Sequence, residues 1–212
     1  MNLPNALTMS RLGLAAVMMA LLEVEFPFSK TLALLVFAVA GVTDYLDGYI
    51  ARRQNLTTPF GKLMDPLTDK VMVSAAFVSF VAIQIQRGGK MCSLVPAWIV
   101  VVIISREFLV TGLRLLAASR GNVIPAGKWG KHKTVWQIVA IIIILLGLSV
   151  RYDYMRYVDP RVLSDFDMAF SYIALGVSTG VALITVGSGV LYFFQHRELM
   201  TRRRSSDGGI TV

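Results

Sequence analysis

Asp44-Tyr-Leu-Asp47-Gly48-Tyr-Ile-Ala51-Arg52, eight further residues, then Gly61-Lys-Leu-Met-Asp65-Pro-Leu-Thr-Asp69: this stretch sets four carboxylates in an otherwise oily chain. On a helix, Asp44 and Asp47 are three apart and share a face, and Asp65 and Asp69, four apart, share one as well. Between the pairs lies Gln54-Asn-Leu-Thr-Thr-Pro-Phe60, a polar turn in which Pro59 discourages an uninterrupted helix. Two helices meeting at that turn bring their carboxylates together. Such a cluster repels itself unless protons or cations neutralise it, and hard divalent cations with oxygen ligands are the natural choice.

Outside this stretch the chain reads as a membrane protein. Of its 212 residues 55% are hydrophobic and 16% charged, and apolar runs long enough to cross a bilayer recur. The reading is all-α: a short N-terminal interfacial segment (residues 1 to 8) and six spans, at about 9–24, 31–53, 61–85, 94–118, 128–148 and 170–194. No signal peptide is expected, because no basic region precedes the first apolar run. Arg87-Gly-Gly-Lys90 reads as a turn and residues 149 to 168 as a polar loop. Gly176, Ser178, Gly180, Gly187 and Gly189 read as a stripe suited to close helix contact. Residues 1–200 form one membrane domain, and 201–212 a basic, disordered tail.

Six spans put both termini on one side of the membrane. That side also holds Arg52, Arg53, Lys62, Lys70, Arg106, Arg114, Lys128, Lys131, Lys133 and Arg202 to Arg204. Cytoplasmic loops are biased to Lys and Arg, so it is the cytoplasmic side of the cell membrane. The net charge of +8 is then explained by anionic headgroups. Nucleic acid is set aside as a partner, since few stacking aromatics accompany the basic clusters. The single Cys92 excludes an intrachain disulfide and reads as a small apolar residue.

One membrane face thus carries a carboxylate cluster and a cation cluster together. Ionisable residues in a membrane are costly and point to function. Carboxylate-held divalent ions bridge phosphate oxygens, and Arg grips phosphate at two points. The composite suits two separate phosphate groups. Gly48 and Gly61 project no side chain, so a bulky headgroup can lie against the helix backbone there.

Asp44 to Asp69 resembles the signature of the CDP-alcohol phosphotransferase family, D-x-x-D-G-x-x-A-R, eight residues, G-x-x-x-D-x-x-x-D, with every defining position matched. The resemblance implies two divalent cations, Mg2+ or Mn2+, with Asp44, Asp47, Asp65 and Asp69 at the metal-ligand positions and Asp69 also at the general-base position. It implies contacts from Thr8, Gly48, Arg52, Thr58 and Gly61 to the CDP-lipid, CDP-diacylglycerol. It also implies a homodimer surrounded by membrane lipids. Arg53, outside the motif, reads as an interfacial anchor.

The acceptor is read from other segments. Ser105-Arg106-Glu107-Phe-Leu-Val-Thr-Gly112-Leu-Arg114, Gly127-Lys128-Trp-Gly130-Lys131-His-Lys133-Thr134 and Pro4-Asn-Ala-Leu-Thr8 with Arg11 resemble the phosphatidylglycerophosphate synthase branch. That resemblance implies transfer of a phosphatidyl group to sn-glycerol 3-phosphate, with Arg106, Arg114, Lys131 and Lys133 at the acceptor phosphate. Arg106 and Arg114 roughly share a helix face. Lys131 and Lys133 are two apart and do not, so one of them is expected to face lipid. Glu107 has candidate partners in Arg106 and the lysines, and the sequence does not choose. Inositol phosphate and phosphatidylglycerol are the alternative acceptors, the latter a poorer match to a cationic pocket because it lacks a terminal phosphate. An ion-coupled transporter is the competing class. A carboxylate cluster at a membrane face and no visible inverted repeat argue against it.

Overall fold

A computed structural model describes the backbone of residues 3–54, 59–119 and 128–201, and the side chains of residues 9–43, 70–118, 133–155 and 157–194. Among the described residues the chain forms six long helices: α1 (Leu3–Glu23), α2 (Ser29–Gln54), α3 (Pro59–Ala82), α4 (Ala97–Ser119), α5 (Lys128–Ser149) and α6 (Pro160–Thr201). α1 packs on α2 and α3, α5 on α2 and α6, and α4 on α3 and α6. Phe77 and Phe80 of α3, Ile99 and Ile103 of α4, and Ile141, Ile144, Leu145 and Leu148 of α5 are fully or almost fully buried.

The surface inverts the soluble pattern. Val101, Leu109, Val135, Leu183 and Phe194 are exposed, while Ser171, Ser178 and Thr185 are buried. A helical bundle that shows apolar side chains outward suits a lipid solvent. Among the described residues two helical stretches, Lys133–Tyr154 and Pro160–Phe194, are long and apolar enough to cross a membrane. Ser29–Thr43 and Lys70–Ala82 are, among the described residues, shorter apolar stretches. Arg106, Glu107 and Arg114 interrupt the apolar run of α4.

Several expectations need correction. The fold is not purely helical: Gln84–Arg87 (β1) pairs antiparallel with Lys90–Ser93 (β2), Arg87 opposite Lys90. Gly88 and Gly89 have φ of 57° and 78°, and a tight hairpin needs positive φ at both central positions. The expected N-terminal segment and the first expected span lie on one helix, since α1 runs unbroken from Leu3 to Glu23. The expected 149–168 loop is a π-helical turn (Val150–Tyr154), a 3-10 turn (Met155–Tyr157) and the first turns of α6. Of the expected tail at 201–212, Thr201 is the last residue of α6, and 202–212 lie outside the described residues.

That 149–168 segment locks one end of the bundle. Asp153 accepts hydrogen bonds from the Thr31 amide and hydroxyl, both at 2.7 Å, so a carboxylate caps the start of α2. Arg151 grips Asp167 of α6 with two donors and stacks over Tyr152, 4.3 Å from the ring centroid. Lys30 is buried and donates to the carbonyls of Leu22 (2.6 Å) and Val24 (3.0 Å), orphan acceptors at the end of α1. Arg87 ties the hairpin to α6 through the Ser171 carbonyl at 3.1 Å.

The expected small-residue stripe is largely open. A Cβ at Gly176, Gly180 or Gly187 would meet nothing within 4 Å. The close approach sits elsewhere: a Cβ at Gly147 of α5 would lie 2.0 Å from the ring of Phe170 on α6. Gly147→Val should therefore cost about 1–3 kcal/mol through overpacking. It should lower Tm in detergent, and Phe170→Ala in the same chain should recover part of the loss. Equal Tm values for wild type and Gly147→Val would contradict this packing.

Candidate functional site

The motif falls on consecutive helices. Asp44, Asp47, Gly48 and Arg52 lie in the last turns of α2, and Gly61, Asp65 and Asp69 in the first turns of α3. Pro59 opens α3, where its missing N–H costs nothing and its fixed φ suits a helix start. The four residues between the helices span at most about 18 Å, so the two acidic helix ends are neighbours by chain length alone. The side chains of these motif residues, of Thr8 and of Lys131, and all of Thr58, lie outside the described residues. Among the described residues no group of three His, Cys, Asp or Glu could hold a metal ion. The motif's donor set, four carboxylates at adjoining helix ends, fits a hard divalent cation and not a soft one.

The expected cation cluster is partly assembled. Glu107, 4% exposed on α4, is its centre. Lys70 of α3 donates to Glu107 Oε2 at 2.7 Å. Lys133 of α5, itself buried, donates to Oε1, and Gln137 Nε2 reaches the same oxygen at 3.3 Å. Arg106 Nη1 lies 3.6 Å from Oε1. One carboxylate therefore binds three helices together. A buried carboxylate is tolerated only with such partners.

Arg106 also reaches α6. Its Nη2 donates to Ser188 Oγ at 3.1 Å, and its chain crosses Gly189, where a Cβ would sit 3.1 Å from Arg106 Cγ. Gly189 is thus the one glycine of the expected stripe with a close neighbour, and that neighbour is a side chain. Arg106 and Arg114 both lie within electrostatic range of Tyr192 on α6, but Arg114 is exposed whereas Arg106 is half-buried. Of the two lysines, Lys133 points inward.

A cavity of about 300 Å³ opens beside this cluster. Arg11, Lys70, Glu107, Thr134 and Gln137 form its polar wall, and Phe37, Ala40 and Gly41 approach it from the turn of α2 that precedes Asp44. Arg11, Lys70, Glu107 and Gln137 were not among the expected site residues. A signal for two of them was present: Glu107 is the only acid in α4 and Lys70 follows the last motif aspartate, and charged residues in apolar helices require partners.

Comparison with known proteins gives the fold its family. A CDP-alcohol phosphatidyltransferase model matches residues 1–186. The chain is similar to a CDP-diacylglycerol–glycerol-3-phosphate 3-phosphatidyltransferase of Bacillus subtilis (strain 168), 42% identical over 211 residues that cover 94% of this chain and 97% of the relative. It is 40% identical to a protein of the same name from Pseudomonas fluorescens over 68% of this chain and 72% of the relative. It is 36% identical to a CMP-forming cardiolipin synthase of Oryza sativa subsp. japonica over 68% of this chain and 46% of the relative. With the signature complete on α2 and α3 and the match running through all but the end of α6, the chain belongs to the CDP-alcohol phosphatidyltransferase family.

Proposed function

We propose that this chain transfers the phosphatidyl group of CDP-diacylglycerol to sn-glycerol 3-phosphate in phospholipid biosynthesis, releasing CMP and phosphatidylglycerophosphate. The observation that carries the acceptor assignment is the gathering of Lys70, Lys133 and Arg106 around the buried carboxylate of Glu107, with Lys70 the residue after Asp69. Lys and Arg side chains gathered at one point suit an acceptor with its own terminal phosphate. The relatives named above as glycerol-3-phosphate phosphatidyltransferases support the same reading.

In this reading an alcohol oxygen of glycerol phosphate attacks the phosphorus that bears the diacylglycerol. The bond from that phosphorus to the CMP oxygen breaks as the new phosphodiester bond forms. Asp69 takes the hydroxyl proton, since an alcohol is a poor nucleophile at neutral pH. Gly48 and Gly61, with Thr8, Arg52 and Thr58, bind the CDP group, and Arg106, Arg114, Lys131 and Lys133 the acceptor phosphate. The family generally uses divalent metal ions; here Asp44, Asp47, Asp65 and Asp69 would hold two, Mg2+ or Mn2+. When bound, they neutralise the pyrophosphate and stabilise the departing CMP.

The helices are proposed to cross the cell membrane six times, with the motif and both termini cytoplasmic, as the Lys and Arg distribution favours. The long α6 would then carry its C-terminal turns into the cytoplasm. Family resemblance favours a homodimer.

Purified protein with CDP-diacylglycerol, glycerol 3-phosphate and Mg2+ should release CMP, fall to background in excess EDTA and recover on adding Mg2+ or Mn2+. Equal turnover with phosphatidylglycerol or inositol phosphate would remove the acceptor assignment. Asp69→Asn should lower turnover about 10²–10⁴-fold, the range for loss of a general base, while CDP-diacylglycerol binding persists; near-normal turnover takes Asp69 out of that role. Topology has its own readout. Cys92 on β2 should react with a membrane-impermeant maleimide added to intact cells. A Ser206→Cys probe in a Cys92→Ser chain should react only after permeabilisation, and the reverse pattern would invert the orientation.

A further inference from the structure

We propose that Glu107 is a positioning residue for the acceptor phosphate, fixing Lys133 and Arg106 relative to the segment of α3 that carries Asp69. The inference rests on the acceptor reading above. It starts from the geometry of one buried carboxylate shared by Lys70, Lys133 and Arg106. Lys70 is the residue after Asp69, so its bond to Glu107 pins that turn of α3 to α4. Lys133 extends the tie to α5. Arg106, adjacent in α4, extends it to α6 through Ser188.

Among the described residues three cations from α3, α4 and α5 meet at one carboxylate, and in the acceptor reading Lys133 and Arg106 bind a phosphate as well. Arg106 already shows where a donor is left over: its Nε is buried and has no hydrogen-bond acceptor among the described residues. An unfilled buried donor is costly, and a phosphate oxygen would satisfy it. Glu107 meanwhile keeps the cations from spreading apart by mutual repulsion, so the pocket stands ready before the acceptor arrives. Gln137, on the same carboxylate oxygen, limits its rotation. The cavity of about 300 Å³ beside the cluster is lined by Lys70, Glu107 and Gln137 and not by Arg106 or Lys133, so Glu107 is the residue that links the cavity wall to those two cations.

A role confined to stability predicts lower yield and Tm with both Michaelis constants unchanged. A positioning role predicts a split. CMP release by wild type, Glu107→Gln, Glu107→Asp and Ser188→Ala is to be measured with each substrate varied at saturating levels of the other. Glu107→Gln should raise KM for glycerol 3-phosphate about tenfold or more, the scale of a lost charge-assisted hydrogen bond, with KM for CDP-diacylglycerol little altered. Glu107→Asp should recover part of the effect. Ser188→Ala, which frees Arg106 without touching the carboxylate, should shift the same constant in the same direction by a smaller factor. Equal shifts in both constants, or a fall in kcat alone, would overturn the proposal. If Glu107→Gln does not fold, Ser188→Ala decides: an unchanged KM for glycerol 3-phosphate overturns it. A wild type that uses inositol phosphate and not glycerol 3-phosphate refutes the acceptor reading, and the same comparison with that acceptor still judges Glu107.

Discussion

A charge inside an apolar bundle must find its partner within the bundle, and this constraint organises the molecule. Water is not at hand to solvate Lys133 or Glu107, and the cost of leaving either alone exceeds any single packing contact. Their pairing, with Lys70 and Arg106 drawn in, fixes the relative placement of α3, α4 and α5 near the motif. At the other end the same rule operates with different residues: Arg151 with Asp167 joins the π-helical turn to α6, and Asp153 caps α2. Between these two polar layers the bundle is held by aliphatic and aromatic packing, with Phe170 seated against the bare backbone of Gly147.

The two polar ends differ in what adjoins them. Around Arg151 and Asp153 each charged group has a counterpart or a helix terminus: Arg151 meets Asp167, and Asp153 meets the first turn of α2. That end serves architecture. Around Glu107 three cations from three helices meet at one carboxylate, and a cavity lined by Lys70, Glu107 and Gln137 adjoins them. The four motif aspartates lie on the adjoining ends of α2 and α3, and in the proposed reading cations held there work beside the Lys and Arg side chains on two phosphate-bearing molecules.

The helices were legible from the amino-acid order because apolar runs, Pro59 and the polar turns mark their ends. The observed bounds of α2, α3 and α4 lie within a few residues of the expected spans. The 149–168 segment was misread because its aspartates and arginines resemble a solvated loop when their partners are unknown. Asp167 and Arg151 are sixteen residues apart, a separation no local pattern connects. The hairpin was hidden for a related reason: four-residue strands carry too little periodicity to register, and only Gly88-Gly89 marked the turn.

Local order determined the signature, its placement on two successive helices and hence the family, because those depend on residue type and short spacing. It also supplied Arg106 and Lys133 as phosphate candidates. Tertiary structure alone decided which cations meet: Lys70, Glu107 and Lys133 come from three helices, and their ion pairs close gaps of 26 and 37 residues. It likewise turned Arg114 outward and seated Arg106 against Gly189. Helix rotation and crossing set those outcomes, and both follow from how whole faces pack, which no single segment encodes.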